Sequence, residues 1–342
     1  MKTATRLVLF GLTAIAAAVH ADGKPYAVTQ RYAPGGDGGW DYLSVDAATH
    51  LLYLSRADHV SVVDTTTGKE VGQIADTPGV HGIALAPELN RGFISAGKGN
   101  FVKVFDLKTR AVLATVAAGE GPDAILYDPA SQRVFAFNGH GHSATVIDAT
   151  SYAVVATIPL AGKPEFARAD GRGMVYVNIE DTAELVAIDA RAAVLKNRWK
   201  LPQCEEPSGL ALDAAHRRSF STCDNQILAV TDVDSGRSVA SVPIGKGVDG
   251  GDFDPAAGNV FSANGGDGTL TVVHEADPDH YAVQQTLSTQ RGARTVALDP
   301  ASRRLYLPTA DFGPAPQATA EHPHPRGQPL PGTFVVLVVE AK

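Results

Sequence analysis

The chain has 342 residues, 44% of them hydrophobic, and a formal net charge of −8. This length is ample for a large core or for an array of repeats. The acidic balance repels phosphate backbones, and no run of lysine or arginine supplies a local basic patch, so a nucleic-acid partner is not expected.

Residues 1–21 have the pattern of a secretory signal peptide. Lys2 and Arg6 form a short positive region, and an apolar stretch from Leu7 to Ala18 follows it. Val19-His20-Ala21 then places small residues three and one positions before an expected cleavage site at Asp22. The stretch is short for a membrane anchor, and no later segment has about 18 consecutive apolar residues. We therefore expect residues 22–342 to be a periplasmic or secreted protein without a transmembrane segment.

A repeat of about 42 residues extends along the rest of the chain. Each unit has an apolar strand, a polar turn, a strand with an aromatic residue, a Gly/Asn/Asp loop and two further strands. The first strands end at Asp46, Ala86, Asp128, Asp170, Asp213, Asp254 and Asp299, and the third strands at Asp64, Asp106, Asp148, Asp189, Asp232 and His274. Radial stacking buries both faces of such sheets, and the period fits a four-stranded blade. The sequence therefore predicts an all-β, seven-bladed β-propeller.

The last repeat lacks an outer strand, because the chain ends after its third strand at about residues 334–339. The segment Tyr26–Tyr32 resembles the outer strand of the sixth repeat, Tyr281–Leu287. We expect it to pair into the seventh blade and close the ring, which removes an open sheet edge. Residues 22–342 would then form a single domain, with a loop insertion at about 311–331.

Several repeat units resemble the YVTN-type repeat. They are Leu52-Tyr53-Leu54-Ser55, Val175-Tyr176-Val177-Asn178 and Arg304-Leu305-Tyr306-Leu307, with the strand endings Val154–Pro159 and Val242–Gly245. Over nearly all of residues 22–342, the chain is similar to the YncE-like seven-bladed propellers of the bacterial periplasm. This resemblance implies the fold, but propellers host unrelated activities. Members of the family are described as of unknown function, as binding modules and in one case as DNA-binding, which the negative charge of this chain opposes.

One residue in each blade lies five positions before the end of the first strand. In a propeller these positions ring one mouth of the channel, on the same face as the loops between second and third strands. The set is Asp41, His81, Asp123, Glu165, Ser208, Asp249 and Arg294. Such a ring can hold a cation, order water or present acids and bases with shifted pKa values, although polar residues also simply solvate wet channels. Trp40 and Phe166 flank the ring and could stack on a ligand or pack between blades.

Five further histidines fall on the same predicted face, and the first of them, His59, lies in a loop of blade one. His140 and His142 lie in a loop of blade three, whereas His322 and His324 lie in the proline-rich insertion, which we expect to cover the channel as a lid. Together with His81 they suit Zn, Cu, Ni or Fe, so a divalent metal ion is a candidate cofactor. The i, i+2 spacing of the two pairs is not a recognised metal signature, and solvated loops explain these histidines equally well.

The two cysteines, Cys204 and Cys223, map to the same face of blade five. In an exported protein such a pair predicts a disulfide. A thiolate metal site or a redox pair is the alternative.

The leading functional hypothesis is a binding propeller rather than an enzyme. Its ligand, a small molecule or a periplasmic protein, would bind at the channel mouth under the insertion. One alternative is a metal-dependent lactonase- or lyase-like enzyme, in which a metal held with His81 activates water or a carbonyl and a ring carboxylate moves the proton. The second alternative is a metal-binding accessory protein. The sequence has no G-x-S-x-G, H-E-x-x-H, P-loop or C-x-x-C-H motif.

Overall fold

Short apolar runs between turn residues form strands along the whole chain. The computed structural model describes residues 24–317 and 327–342 and arranges their strands in seven four-stranded antiparallel sheets. Each sheet is one blade of a propeller, so the predicted fold is confirmed. Residues 1–21 and the histidines His322 and His324 lie outside the described residues.

The first three blades follow an N-terminal strand, β1 (Tyr26–Tyr32). Blade one comprises β2 (Trp40–Asp46), β3 (Leu51–Arg56), β4 (His59–Asp64) and β5 (Glu70–Ile74). Blade two comprises β6 (Val80–Ala86), β7 (Arg91–Ala96), β8 (Phe101–Asp106) and β9 (Val112–Ala117), with short 3₁₀ helices at Pro87–Leu89 and Gly97–Gly99. Blade three comprises β10 (Pro122–Asp128), β11 (Arg133–Asn138), β12 (Ser143–Asp148) and β13 (Val154–Pro159).

The remaining four blades continue in chain order. Blade four comprises β14 (Pro164–Ala169), β15 (Met174–Ile179), β16 (Glu184–Asp189) and β17 (Val194–Lys200). Blade five comprises β18 (Pro207–Asp213), β19 (Arg218–Cys223), β20 (Ile227–Asp232) and β21 (Ser238–Pro243). Blade six comprises β22 (Val248–Asp254), β23 (Asn259–Asn264), β24 (Thr269–Asp277) and β25 (His280–Ser288). Blade seven comprises β26 (Ala297–Leu298), β27 (Leu305–Thr309), β28 (Val335–Ala341) and β1.

The N-terminal strand closes the ring, as predicted. β1 pairs antiparallel with β28 from Tyr26 opposite Ala341 to Tyr32 opposite Val336. The first strand of blade seven covers only Ala297–Leu298, and the Arg294 carbonyl before it accepts hydrogen bonds from the Asp249 and Gly250 amides of blade six.

The hydrophobic core lies between blades rather than within any one of them. Seven clusters of buried residues each join two neighbouring sheets, and the cluster between blades three and four also includes Tyr42 of blade one. Alternation along β3 shows the reason, because Leu52 and Leu54 face blade seven whereas Tyr53 faces blade two. A blade therefore buries both faces only when both neighbours are present.

The aspartates that end the third strands have a structural role. Asp64 Oδ1 accepts hydrogen bonds from the Thr66 and Thr67 amides at 2.8 and 2.9 Å, and Asp106, Asp148 and Asp232 bind the corresponding amides of their own turns. Aspartate favours such turns because its side chain satisfies local backbone donors. These repeat markers hold turns and are not functional-site residues.

The predicted disulfide between Cys204 and Cys223 is present. It ties the segment before β18 to the end of β19, on the face that carries the ring. Among residues 24–317 and 327–342, no helix is long and apolar enough to cross a membrane.

Candidate functional site

The ring residues occupy one repeated position in the fold. Six of them are the second residues of the innermost strands, and Arg294 precedes β26. In each of these six strands the pairing with the next strand is interrupted at that position, for example between Trp40 and Leu43 in β2. Such bulges redirect side chains, and here they coincide with the residues at the channel mouth.

Side chains of the second strands bind backbone groups that the bulges leave unpaired. Ser55 Oγ accepts a hydrogen bond from the Asp41 amide at 2.8 Å, and Ser95 Oγ accepts one from the Gly82 amide at 2.9 Å. The Asn178 amide donates to the Ser208 and Gly209 carbonyls. Because buried backbone groups need partners, these polar residues hold the mouth in its bulged form.

A chain of charge contacts links five ring residues across the mouth. Arg294 Nε donates to Asp249 Oδ2 at 2.6 Å, and Arg294 Nη2 lies 3.5 Å from Asp41 Oδ1. His81 Nδ1 lies 2.6 Å from Asp41 Oδ2 and 3.5 Å from Asp123 Oδ1. Blades six, seven, one, two and three therefore all contribute to one network.

Glu165 and Ser208 lie outside that chain. Glu165 is paired with Lys163, whose Nζ lies 2.7 Å from Glu165 Oε1 and also contacts Glu180. Ser208 Oγ donates to the Val248 carbonyl at 3.2 Å. Lys163 is not among the site residues predicted from the sequence, although its position two residues before Glu165 could have indicated this ion pair.

Among the residues that the structure describes, the mouth has more carboxylates than bases. Asp41, Asp123, Glu165 and Asp249 face His81, Lys163 and Arg294. Asp123 Oδ1 is buried and accepts no hydrogen bond from the described part of the chain, although His81 Nδ1 lies 3.5 Å away. A buried carboxylate oxygen without a donor is costly, so this side of the mouth can accept one further cation or proton.

The pKa values of three ring residues reflect this imbalance. Burial raises the pKa of Asp123 to about 7, with the charges of Asp41 and Asp249 adding to the effect against that of His81. Burial and then the charge of Asp123 raise the pKa of Glu165 to about 8. Burial alone would lower the pKa of His81, but the hydrogen bond from its ring to Asp41 and the nearby carboxylates outweigh it and raise that pKa to about 9.

These shifts predict a pH-dependent effect of Glu165→Gln. Between about pH 4.5 and 8 the folded protein keeps a proton on Glu165 that the unfolded chain loses, so this group makes the wild type less stable as pH rises. The free energy of unfolding of Glu165→Gln, relative to wild type, should therefore increase from pH 5 to pH 8. Urea unfolding at the two pH values measures it, with Glu120→Gln on an exposed loop as the control. An unchanged difference would contradict the protonated state.

An aromatic layer closes the channel beneath the ring. Tyr42 of blade one reaches Phe166 of blade four, with ring centroids 4.7 Å apart, and packs in the cluster that contains Ala124 and Ala167. Below it, Arg168 Nη2 lies 3.0 Å from Asp252 Oδ1 of blade six. The mouth is therefore a depression that is closed at its base by these contacts, rather than the entrance to an open channel.

The repeat explains how this floor fits. At the position after the ring residue, blades one and four carry Tyr42 and Phe166, whereas the other blades carry Gly82, Ala124, Gly209, Gly250 and Thr295. A Cβ atom on Gly209 would come within 2.7 Å of the Gly251 amide nitrogen. The small residues on the other blades add little side-chain bulk at the level of Tyr42 and Phe166, and Gly209 lets the first strand of blade six approach closely.

A cavity of about 900 Å³ adjoins the ring on the side of blades five to seven. Ser208, Asp249 and Arg294 of the ring line it, together with charged side chains and part of the insertion. The charged residues are Glu180, Glu206, Asp224, Asp311, Lys246 and Arg291. Asp41, His81, Asp123 and Glu165 are not part of its lining, but Glu180 shares Lys163 with Glu165, so the two regions are contiguous.

The described parts of the blade-seven insertion cover this cavity. Gly313 and Leu330 donate backbone hydrogen bonds to Gln328 and Asp311, which joins the two ends of the insertion. Phe312, in the cavity lining, packs on Trp40 at 5.8 Å between centroids. Trp40 itself is buried against Phe312 and Phe334 and is not part of the cavity lining, so it supports the cover rather than offering a stacking surface.

The candidate metal ligands do not gather in one place. Asp41, His81 and Asp123 have ligand atoms within 4.8 Å of one another and could hold a divalent ion. His140 and His142 are exposed in the loop between β11 and β12 and join no such group in the described part of the chain. The ring histidine and the loop histidines are therefore separate features.

Comparison with known proteins supports the architecture. No protein-family profile matches the chain, and no curated protein is similar to it in sequence. The crystal structure of the RRP9 WD40 repeats is similar to it with a TM-score of 0.76, covering 90% of this chain and 96% of that one at 9% identity. At this identity the likeness establishes the fold alone: the chain has the seven-bladed propeller architecture of a WD40-like structure.

Proposed function

We propose that this protein is an exported, YncE-like binding propeller that holds a small ligand at the channel mouth, beneath the blade-seven insertion. The ligand carries an ammonium or guanidinium group. The observation that carries this proposal is the excess of carboxylates over bases among the described residues of the mouth, where Asp123 Oδ1 is buried and accepts no hydrogen bond from them. A cationic group placed there would supply the missing donor and charge.

The adjoining cavity accommodates the rest of such a ligand. Its volume lies in the range of pockets for small molecules, and its charged lining includes five carboxylates and three bases. The closed floor at Tyr42 and Phe166 limits entry to one face. Export, to the periplasm or outside the cell, is proposed from the signal-like residues 1–21, and the Cys204–Cys223 disulfide supports it.

A thermal-shift panel of ethanolamine, putrescine, agmatine and spermidine tests the cation assignment. At least one compound should raise the Tm of the wild type, because a ligand that binds only the folded state stabilises it. Asp123→Asn should lose most of that shift, whereas Glu120→Gln, on the same face but outside the mouth, should keep it. The absence of any shift, or equal shifts in all variants, would overturn the assignment.

Metal binding at Asp41, His81 and Asp123 is the second candidate function. The mutual approach of their ligand atoms favours it, and it would suit either an accessory protein or a metal-dependent lactonase- or lyase-like enzyme. Elemental analysis of protein purified without a histidine tag separates the two candidates. Stoichiometric metal that His81→Ala removes would favour the metal site, whereas metal-free protein that binds an amine would favour the organic cation.

A further inference from the structure

A second group of ionisable residues lies on the opposite face, between blades five and six. Asp213 ends β18 and is buried, and His216 follows in the turn with about half of its side chain exposed. Glu275 of β24 is buried across the blade junction. His216 Nδ1 lies 2.5 Å from Asp213 Oδ2 and 3.7 Å from Glu275 Oε1.

The repeat shows what this junction lacks. Asp170 and Asp254, the counterparts of Asp213 in blades four and six, each pair with an arginine from the next blade. Those contacts are Arg217 Nη1 to Asp170 at 2.8 Å and Arg303 Nε to Asp254 at 2.7 Å. The two arginines occupy equivalent positions in the turn before the second strand of their blades, and both have a positive φ. The corresponding residue of blade six is Gly258, also with positive φ, so no guanidinium reaches Asp213 from there.

Glu275 is equally unusual for its position. Glu275 comes one residue after His274, which takes the place of the third-strand aspartate in blade six. The other blades that carry this turn have an uncharged residue at that position: Thr65, Leu107, Ala149, Ala190 and Val233. Blade six instead places a carboxylate there, 6% exposed, and Tyr281 donates a hydrogen bond to its Oε1 at 3.1 Å. Two buried carboxylates therefore face each other where two other junctions have an arginine–aspartate pair.

A divalent ion between Asp213 and Glu275 would offset the repulsion of two buried carboxylates, because bound cations are the largest local charges in such sites.

From this geometry we propose that Asp213, His216 and Glu275 form a zinc site that joins blades five and six. Two carboxylate oxygens and one imidazole nitrogen are a donor set that zinc accepts, and water can complete the coordination. The exposed edge of His216 gives an entry path from solvent. The ion takes the place that a guanidinium occupies at the junctions of blades four and five and of blades six and seven.

Calorimetric titration of zinc chloride into the untagged full chain tests this site. His81→Ala is the parent, so that the channel mouth does not contribute. The parent should bind one zinc ion per chain, and adding Glu275→Gln should weaken that binding at least tenfold. Zinc should also raise the Tm of the parent but not that of His81→Ala/Glu275→Gln. Without zinc, the double variant should melt no lower than the parent, because it replaces a buried ionisable group with an amide.

Asp128→Asn supplies the matched control. Asp128 is the buried counterpart of Asp213 in blade three, and the next blade again has a glycine, Gly173, at the position of the arginine. Blade four, however, carries Ala190 where blade six has Glu275. In the same parent, Asp128→Asn should leave zinc affinity within twofold. A parent that binds no zinc below about 100 µM, or a Glu275→Gln variant with unchanged affinity, would overturn the proposal.

Discussion

A chain that begins at residue 33 is expected to melt at least about 10 °C below one that begins at residue 25, because it loses β1. Tyr26 and Tyr32 are each 5% exposed. Tyr26 packs edge-on against Phe261, and the Tyr32 hydroxyl donates to the Thr65 carbonyl at 2.6 Å. β1 thus contacts blades six and one as well as β28, and its loss exposes both the core and an open strand edge.

Differential scanning calorimetry of the two chains measures the effect of this deletion. The chain that begins at residue 25 is the control, since it keeps the whole of β1 and the hydrogen bond from the Lys342 amide to the Pro25 carbonyl. Equal melting temperatures would show that the ring is stable without its closing strand, which would contradict the account of closure.

Arg294→Ala is expected to lower the free energy of unfolding by about 3 kcal/mol. Arg294 Nε donates to Asp249 at 2.6 Å, and its Nη2 donates to the Trp40 carbonyl at 2.9 Å. The variant removes the cation that Asp249 and Asp41 share in a partly buried site, where the loss of a compensating charge is costly. The same change makes the mouth more negative, so the electrostatic attraction for an amine is not reduced. Amine binding should still weaken, because the side chains that Arg294 holds in place lose their positions.

Urea unfolding at pH 7 tests this effect, with Arg291→Ala as the matched control. Arg291 lines the same cavity but is exposed, so its removal should change stability by no more than about 0.5 kcal/mol. Arg294→Lys should fall between the two, since a lysine can keep one of the contacts but not the fork of donors. Similar values for Arg294→Ala and Arg291→Ala would contradict the role of Arg294 as a bridge between blades.

The repeat made the fold and the position of the ring predictable. Spacings of 41 to 43 residues between aspartates such as Asp64 and Asp106 define the blades, and those aspartates do hold the turns. Counting back from the first-strand ends located Asp41 and His81 at one mouth, where they are in contact. Position within a repeat is enough for this, because equivalent residues of equivalent blades point toward one axis.

Features that depend on two different blades were not predictable in the same way. The contact of Tyr42 with Phe166 crosses the channel, and the approach of Glu275 to Asp213 crosses a blade junction. Neither follows from spacing along the chain, since each depends on how far the side chains extend between sheets. Trp40 shows the same limit, because its burial depends on the packing of Phe312 from the insertion.

Hydrogen–deuterium exchange with the panel amine that gives the largest Tm shift tests most directly that the channel mouth is the ligand site. Protection should appear in peptides that cover residues 246–250, 290–294 and 310–313, which line the cavity and its cover. Exchange in the turn at residues 213–217, on the opposite face of the propeller, should be unaffected. Protection confined to that turn or to the outer strands, with none at the mouth, would contradict the proposal.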